Sequence, residues 1–152
     1  MTEPLTTEYK VSWPQPLRSI RSGGELHVET EVDPRALEQQ VPFNFLQPIV
    51  ENAFTHGFHE SPEKTLRIEV KVRNALVIRI TNSGVTLTAR EYYAVNQAMR
   101  SSTAHGLSMI NHKLRVVYDD RYDICMSLAA WDKGGSTFTL TLPYDGVLSD
   151  GR

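Results

Sequence analysis

The sequence predicts an α+β fold, a two-layer α/β sandwich whose helices lie on one face of a mixed, mostly antiparallel sheet. Two observations carry this. Apolar and polar residues alternate in two pairs of neighbouring runs, each pair joined by a short turn, so the strands arrive as hairpins. Between them, apolar residues recur at spacings of three and four, which is the pattern of amphipathic helices. An absence points the same way: no Gly-x-Gly-x-x-Gly or Walker loop follows a strand, so a doubly wound nucleotide fold is the weaker option.

A chain of 152 residues with 40% hydrophobic content can bury one core, so a single domain over 25–143 is expected. The formal charge of −2 gives no broad basic field, and neither nucleic acid nor an anionic membrane is expected as a partner. No apolar run approaches the roughly 20 residues that span a bilayer, and no signal peptide opens the chain. A cytoplasmic location without direct membrane contact is the expectation. Cys125 is the single cysteine, which excludes an intramolecular disulfide and a multi-cysteine zinc site.

Residues 1–24 carry Pro4, Pro14, Pro16 and the pair Gly23-Gly24 and read as a linker or N-terminal arm, with Trp13 packed on the domain. Over 25–33, Leu26, Val28, Thr30 and Val32 alternate with polar residues as a half-buried strand that Asp33-Pro34 ends. Leu46, Ile49, Val50, Ala53 and Gly57 then form one apolar stripe on a helix. Pro48 is accommodated in the first turn, or at a kink in a longer helix entered at Pro42. Gly57 is expected to end the helix in a left-handed conformation, and Pro62 discourages continuation.

Leu66, Ile68, Val70 and Val72 pair as a hairpin with Leu76, Ile78 and Ile80 across a turn at Asn74. The intervening Arg67, Glu69, Lys71 and Arg73 read as a solvated face, not a binding patch. Thr88 and Glu91 form a capping box for a short helix ending near Met99, followed by a mobile loop over 100–105. A second helix starts at Gly106-Leu107 and runs to Tyr118, with Leu107, Ile110, Leu114 and Val117 on its buried side. Ile124, Met126, Leu128 and Ala130, a Gly-containing turn, and Phe138, Leu140 and Leu142 complete a second hairpin. Residues 144–152 read as a tail.

The chemistry concentrates around 47–57. Asn52 and His56 lie one turn apart beside the apolar stripe, with Glu51 adjacent and His59 just beyond. A cavity is expected where Asn52 and His56, the turn 82–84 and the helix start at Gly106 meet. Nucleotide binding suits it. The helix N-terminus at Gly106 offers free N–H groups to phosphate, and Asn52 can give its carbonyl oxygen to Mg²⁺. Glu51 can orient or deprotonate the attacking group, and His56 can donate to phosphate. Asn82 can accept from the adenine amino group, Gly84 lets the base lie against the backbone, and Ser136 can bond the base directly or through water.

Several candidates carry bland readings. His56, His59 and Glu60 lack a third firm zinc ligand. His105 can touch phosphate or stand as a solvated loop residue. Lys113 and Arg115 read as surface charge, Cys125 as inert packing, and Ser136 has no His/Asp arrangement for nucleophilic catalysis.

The run Pro42, Leu46, Gln47, Pro48, Glu51, Asn52, Ala53, His56, Gly57 resembles the N-box of GHKL-type ATPases in the form found in LytS-like sensor histidine kinases. Asn82-Ser83-Gly84 resembles the G1 box, and Ala104-His105-Gly106-Leu107 the G2 box, followed by Leu114 and Tyr118 at the spacing of that branch. Gly135-Ser136 and the stretch 140–143 resemble the family's closing strand. The resemblance covers about 24–143. It implies a Bergerat-type site for ATP and Mg²⁺ that phosphorylates a histidine on a dimerisation helix and serves a downstream response regulator.

Departures accompany it. Asn82 stands where aspartate is usual, Thr86 and Ala104 where glycines are, and Met109 where asparagine is expected. Asparagine keeps an acceptor but loses charge, a difference on the order of 1 kcal/mol. A Cβ where backbone must approach phosphate works against the ligand. Nothing upstream resembles the Pro-His-Phe-Leu-Phe-Asn helix that carries the phosphoacceptor, so the chain is expected to be the catalytic part of a longer kinase or a stand-alone regulator. Two alternatives stay open: a degenerate GHKL module that acts by protein contact, and a stand-alone serine kinase of the anti-sigma-factor type.

Overall fold

The computed structural model describes residues 2–4, 25–37, 39–42, 46–58, 63–101 and 107–144. Among these residues seven strands occur in chain order: β1 (Thr2–Pro4), β2 (Glu25–Val32), β3 (Gln40–Pro42), β4 (Glu63–Val72), β5 (Leu76–Asn82), β6 (Asp123–Leu128) and β7 (Ser136–Leu142). Three helices accompany them: α1 (Gln47–Asn52), α2 (Ala89–Met99) and α3 (Ser108–Tyr118). The main sheet has the order β2-β4-β5-β7-β6, with β2 and β4 parallel and the other neighbours antiparallel. It is the mixed, mostly antiparallel sheet of an α+β sandwich. β1 and β3 form a separate antiparallel pair, so the first residues of the expected arm run alongside 40–42.

Period-two alternation explains the layering. In β4, Leu66, Ile68, Val70 and Val72 are buried on the helix side while Arg67 is exposed on the other. Leu76, Ile78 and Ile80 of β5 and Phe138, Leu140 and Leu142 of β7 extend the same buried face. α1 contributes Ile49 and Val50, and α3 contributes Ile110 and Leu114 to one continuous core. The opposite sheet face is polar, with Thr81 and Thr137 hydroxyls 2.9 Å apart, and Arg67 and Lys133 flank the Trp131 ring there. Cys125 is on this face, where burial pushes its thiol pKa up.

Asp33 closes the β2 end. Its carboxylate accepts from Arg35 N at 2.9 Å and Val72 N at 3.3 Å and pairs with the Arg35 guanidinium at 2.8 Å, which holds its pKa at about 2. Tyr144 belongs to this region too, donating its hydroxyl to Arg35 O at 3.0 Å.

Pro48 is in the first turn of α1, where its missing N–H costs no bond. The helix does not end at a left-handed Gly57. It continues through a single π turn, Ala53–Gly57, closed by Phe58 N donating to Ala53 O at 2.8 Å, and Gly57 is absent from the positive-φ glycines. Phe58 is fully buried, stacked edge-on with Phe54 at 5.1 Å. In α3 the buried side is Ser108, Ile110, Asn111, Leu114 and Tyr118, while the expected Val117 is 37% exposed. Tyr118 fills the next inward position, one residue on, as the 3.6-residue repeat requires.

The Thr88 capping box forms as expected. Thr88 Oγ1 accepts from Glu91 N at 3.1 Å, and Glu91 Oε1 accepts from Thr88 N at 2.8 Å. Thr88→Ala is expected to lower stability by about 1 kcal/mol in urea unfolding, and no change would deny the box its role. One turn apart at the far end of α2, Asn96 and Arg100 reach the free margin of β6. Asn96 accepts from Met126 N at 2.7 Å and donates to Met126 O at 3.0 Å, and Arg100 donates to Ile124 O at 3.1 Å. Arg100 is therefore anchored, contrary to the mobile loop expected to begin there.

Candidate functional site

A cavity of about 370 Å³ opens on the helix side of the sheet, where the end of α1 meets the tips of β5 and β7. Its polar side is lined by Asn52, His56, Asn82 and Ser136, and its apolar side by Val85, Leu87, Val95, Leu107 and Met126. The size falls within the range of small-ligand pockets. Four elements position the polar group. α1 presents Asn52 and its π turn His56, while β5 and β7 bring Asn82 and Ser136 to directly paired positions.

The close fit of α1 against the 82–84 turn follows from two glycines. A Cβ on Gly57 would overlap the Asn82 amide, with Asn82 Cγ only 2.9 Å away. Gly84, at φ +115, backs onto the same helix end, where a Cβ would strike the carbonyl of Gly57. Val85 N donates to Gly57 O at 2.8 Å and fixes the approach. Gly84 thus supports the cavity from behind and is not among its lining residues.

Asn82 is 3% exposed and donates its Nδ2 to Ser83 O at 2.9 Å. Among the described residues no donor reaches its Oδ1, which leaves an acceptor facing a cavity. Asn52 likewise makes no side-chain hydrogen bond there. His56 is exposed at the rim. Glu51 is exposed as well, accepts from Gln47 Nε2 at 3.2 Å, and does not line the cavity. Leu107 stands at the entrance to α3 and walls the cavity. His105 and Gly106, with His59, Glu60 and Ala104, lie outside the described residues, as does Trp13. Among the described residues no group of three or more His, Cys, Asp or Glu side chains is placed to hold a metal.

Two residues acquire roles that the sequence did not suggest. Thr86, expected to crowd phosphate, turns its hydroxyl to the β6–β7 turn, where Oγ1 accepts from Gly135 N at 2.9 Å, and it does not line the cavity. Tyr92 of α2 buries its hydroxyl behind Ser136, 2.8 Å from Ser136 Oγ and 3.2 Å from Gly135 O. A capping box followed one residue later by an inward-facing tyrosine was the available signal, since a buried tyrosine needs a partner for its hydroxyl.

No family model matches the chain. It is 27% identical over 128 residues to the sensor histidine kinase BtsS of Escherichia coli (strain K12), which covers 84% of this chain and 21% of BtsS. The chain therefore spans about a fifth of that relative's length. Among solved structures, the mycobacterial sensor histidine kinase MprB superposes with a TM-score of 0.66 at 19% identity, covering 94% of this chain and 96% of that one. The nucleotide-free catalytic domain of histidine kinase ThkA gives 0.63 at 14% identity, covering 94% and 95%. A further ThkA structure, in complex with response regulator protein TrrA, gives 0.61 at 14% identity over 97% of this chain and 42% of that one. This chain, an α+β sandwich with a five-stranded mixed sheet, has the fold of a histidine kinase catalytic domain.

Proposed function

We propose that the cavity binds ATP with Mg²⁺ and that the chain is the catalytic domain of a sensor histidine kinase of the LytS-like branch. It would pass the γ-phosphate to a histidine on a dimerisation segment, from which a response regulator takes it. The observation that carries this reading is the meeting of Asn52, His56, Asn82 and Ser136 on one side of a single cavity whose other side is apolar. An adenine ring needs such a division, with a flat apolar wall for its faces and acceptors for its amino edge.

Asn82 Oδ1, unclaimed and buried, takes the 6-amino group. Val85, Leu87, Val95 and Met126 provide the apolar wall, and Leu107 marks the side toward which the phosphates run. Mg²⁺ favours oxygen and keeps waters and phosphate oxygens, so one free amide oxygen from Asn52 fits it without a cage of carboxylates. When bound, the ion offsets phosphate charge. His56 at the rim donates to the phosphates. Glu51, one residue from Asn52 and facing solvent, would meet the incoming histidine. His105 and Gly106, outside the described residues, would add phosphate contacts, as the resemblance implies. Thr86 turns its hydroxyl to Gly135 N and does not line the cavity, which supports binding over a degenerate module. Among the described residues no helix is long and apolar enough to cross a membrane, and a cytoplasmic domain of a membrane-anchored sensor suits the reading.

Isothermal titration with a non-hydrolysable ATP analogue, with and without Mg²⁺, tests the proposal. Saturable binding strengthened by Mg²⁺ is expected, and Asn52→Ala should remove about tenfold of affinity, all of it from the Mg²⁺-dependent part. A folded protein that gives no heat at millimolar nucleotide would end the kinase reading and leave a module that acts by protein contact.

A further inference from the structure

Tyr92 has a complete set of partners at a place where the direction of one proton decides what the cavity presents. Its hydroxyl is within reach of three groups: Gly135 O at 3.2 Å, Ser136 Oγ at 2.8 Å and Leu87 N at 3.4 Å. A carbonyl only accepts and an amide N–H only donates. The Tyr92 proton has two acceptors within reach, Ser136 Oγ and Gly135 O, the latter also accepting from Ala129 N at 3.2 Å; in the arrangement that gives it to Gly135 O, the phenolic oxygen receives from Leu87 N and from Ser136. Ser136 is 2% exposed, and in that arrangement its proton goes to Tyr92 and only lone pairs are left for the cavity. Across the sheet, its directly paired neighbour Asn82 gives one Nδ2 N–H to Ser83 O and offers its Oδ1.

We infer that Tyr92 is a positioning residue that sets the hydrogen-bond polarity of the cavity's polar end, fixing Ser136 as an acceptor beside the Asn82 acceptor so that the site selects a 6-amino purine against a 6-oxo purine. This rests on the nucleotide reading above and extends it to specificity. A 6-amino group supplies two N–H donors to two oxygens. A 6-oxo group sets a third lone-pair-bearing oxygen against them, and buried groups left without partners discriminate strongly. Without Tyr92, the Ser136 hydroxyl is free to rotate and donate, and the penalty on the oxo group falls.

The test compares ATP and ITP, which differ at the 6-position and at the N1 proton, by titration against the intact chain and its variants. The wild type is expected to favour ATP by at least about 100-fold, and Tyr92→Phe to bring the ratio within about tenfold. A purely structural role for Tyr92 would weaken both nucleotides alike and leave the ratio unchanged, which would overturn the inference while the nucleotide reading stood. Failure of the wild type to bind either nucleotide would take both down. Thermal melting reports whether Tyr92→Phe folds. Should it not, Ser136→Ala carries the same test, since removing the second acceptor must also narrow the ratio. In the double variant, Tyr92→Phe should add nothing to the ratio change of Ser136→Ala, and an additive effect would separate the two residues and refute the coupling.

Discussion

Gly84→Ala is expected to destabilise the protein by about 3 kcal/mol or more, a large share of the roughly 5–15 kcal/mol that holds a domain together. Two costs combine. At φ +115 the backbone occupies a region that an L side chain rarely adopts, and the new methyl group points at the backbone of the α1 end, with Gly57 C and Phe58 Cα each 3.1 Å away. Neither neighbour can step aside. Gly57 O is held by Val85 N, and Phe58 is fully buried with its N–H in the π turn. Urea unfolding of wild type and variant measures the difference. A loss below about 1 kcal/mol would mean that the helix end slides easily, and that the contact does not set the geometry of the cavity.

Gly57→Ala is expected to act on the ligand instead of the fold. The position is helical and outside the positive-φ region, so alanine gains about 0.5–1 kcal/mol of backbone entropy there. What its methyl group meets is the Asn82 amide, a side chain that can swing away only by giving up its bond to Ser83 O. Stability should therefore change by less than about 1 kcal/mol, while ATP affinity falls between about 10- and 100-fold as the adenine acceptor leaves its place. Thermal melts with parallel nucleotide titrations separate the two. Unchanged affinity in a folded variant would remove Asn82 from base recognition.

Much of this architecture is legible from local pattern. The β4–β5 hairpin follows from strict alternation around Asn74, and the start of α2 from Thr88 and Glu91, because each signal is contained in a few residues and names its own partner. The parallel pairing of β2 with β4 is not legible in that way. Its partners are 38 residues apart in register, Glu25 with Glu63 and Val32 with Val70, and nothing local distinguishes that edge from an antiparallel one. The π turn escaped for a similar reason. Gly57 reads as a left-handed terminator when only the helix is considered, whereas its missing side chain answers to Asn82, a neighbour supplied by the sheet.

The candidate site divides along the same line. Asn52, His56, Asn82, Leu107 and Ser136 come together because each was inferred from an element whose facing the sequence specified. Glu51 was read as part of the same polar edge. Its neighbour Asn52 lines the cavity, and a step of 100° around the helix takes Glu51 to solvent, where Gln47 one turn earlier holds it. Thr86 was judged as a missing glycine because sequence shows the extra Cβ and not the turn that accepts its hydroxyl. Tyr92 is not singled out by sequence, since an aromatic on an amphipathic helix reads as core, and only the fold reveals that its oxygen reaches Ser136.

The side chains of Asn96 and Arg100 along β6 bear on how copies of the domain can meet. With Met126 N, Met126 O and Ile124 O already engaged, the middle of that flank is closed to another strand, whereas β2 is bonded to β4 alone among the described residues. Head-to-tail stacking of sheets, the route to open-ended fibres, needs two receptive margins per molecule. For the main sheet, a margin closed along its middle leaves β2 as the receptive one, and pairing through β2 about a two-fold axis terminates itself.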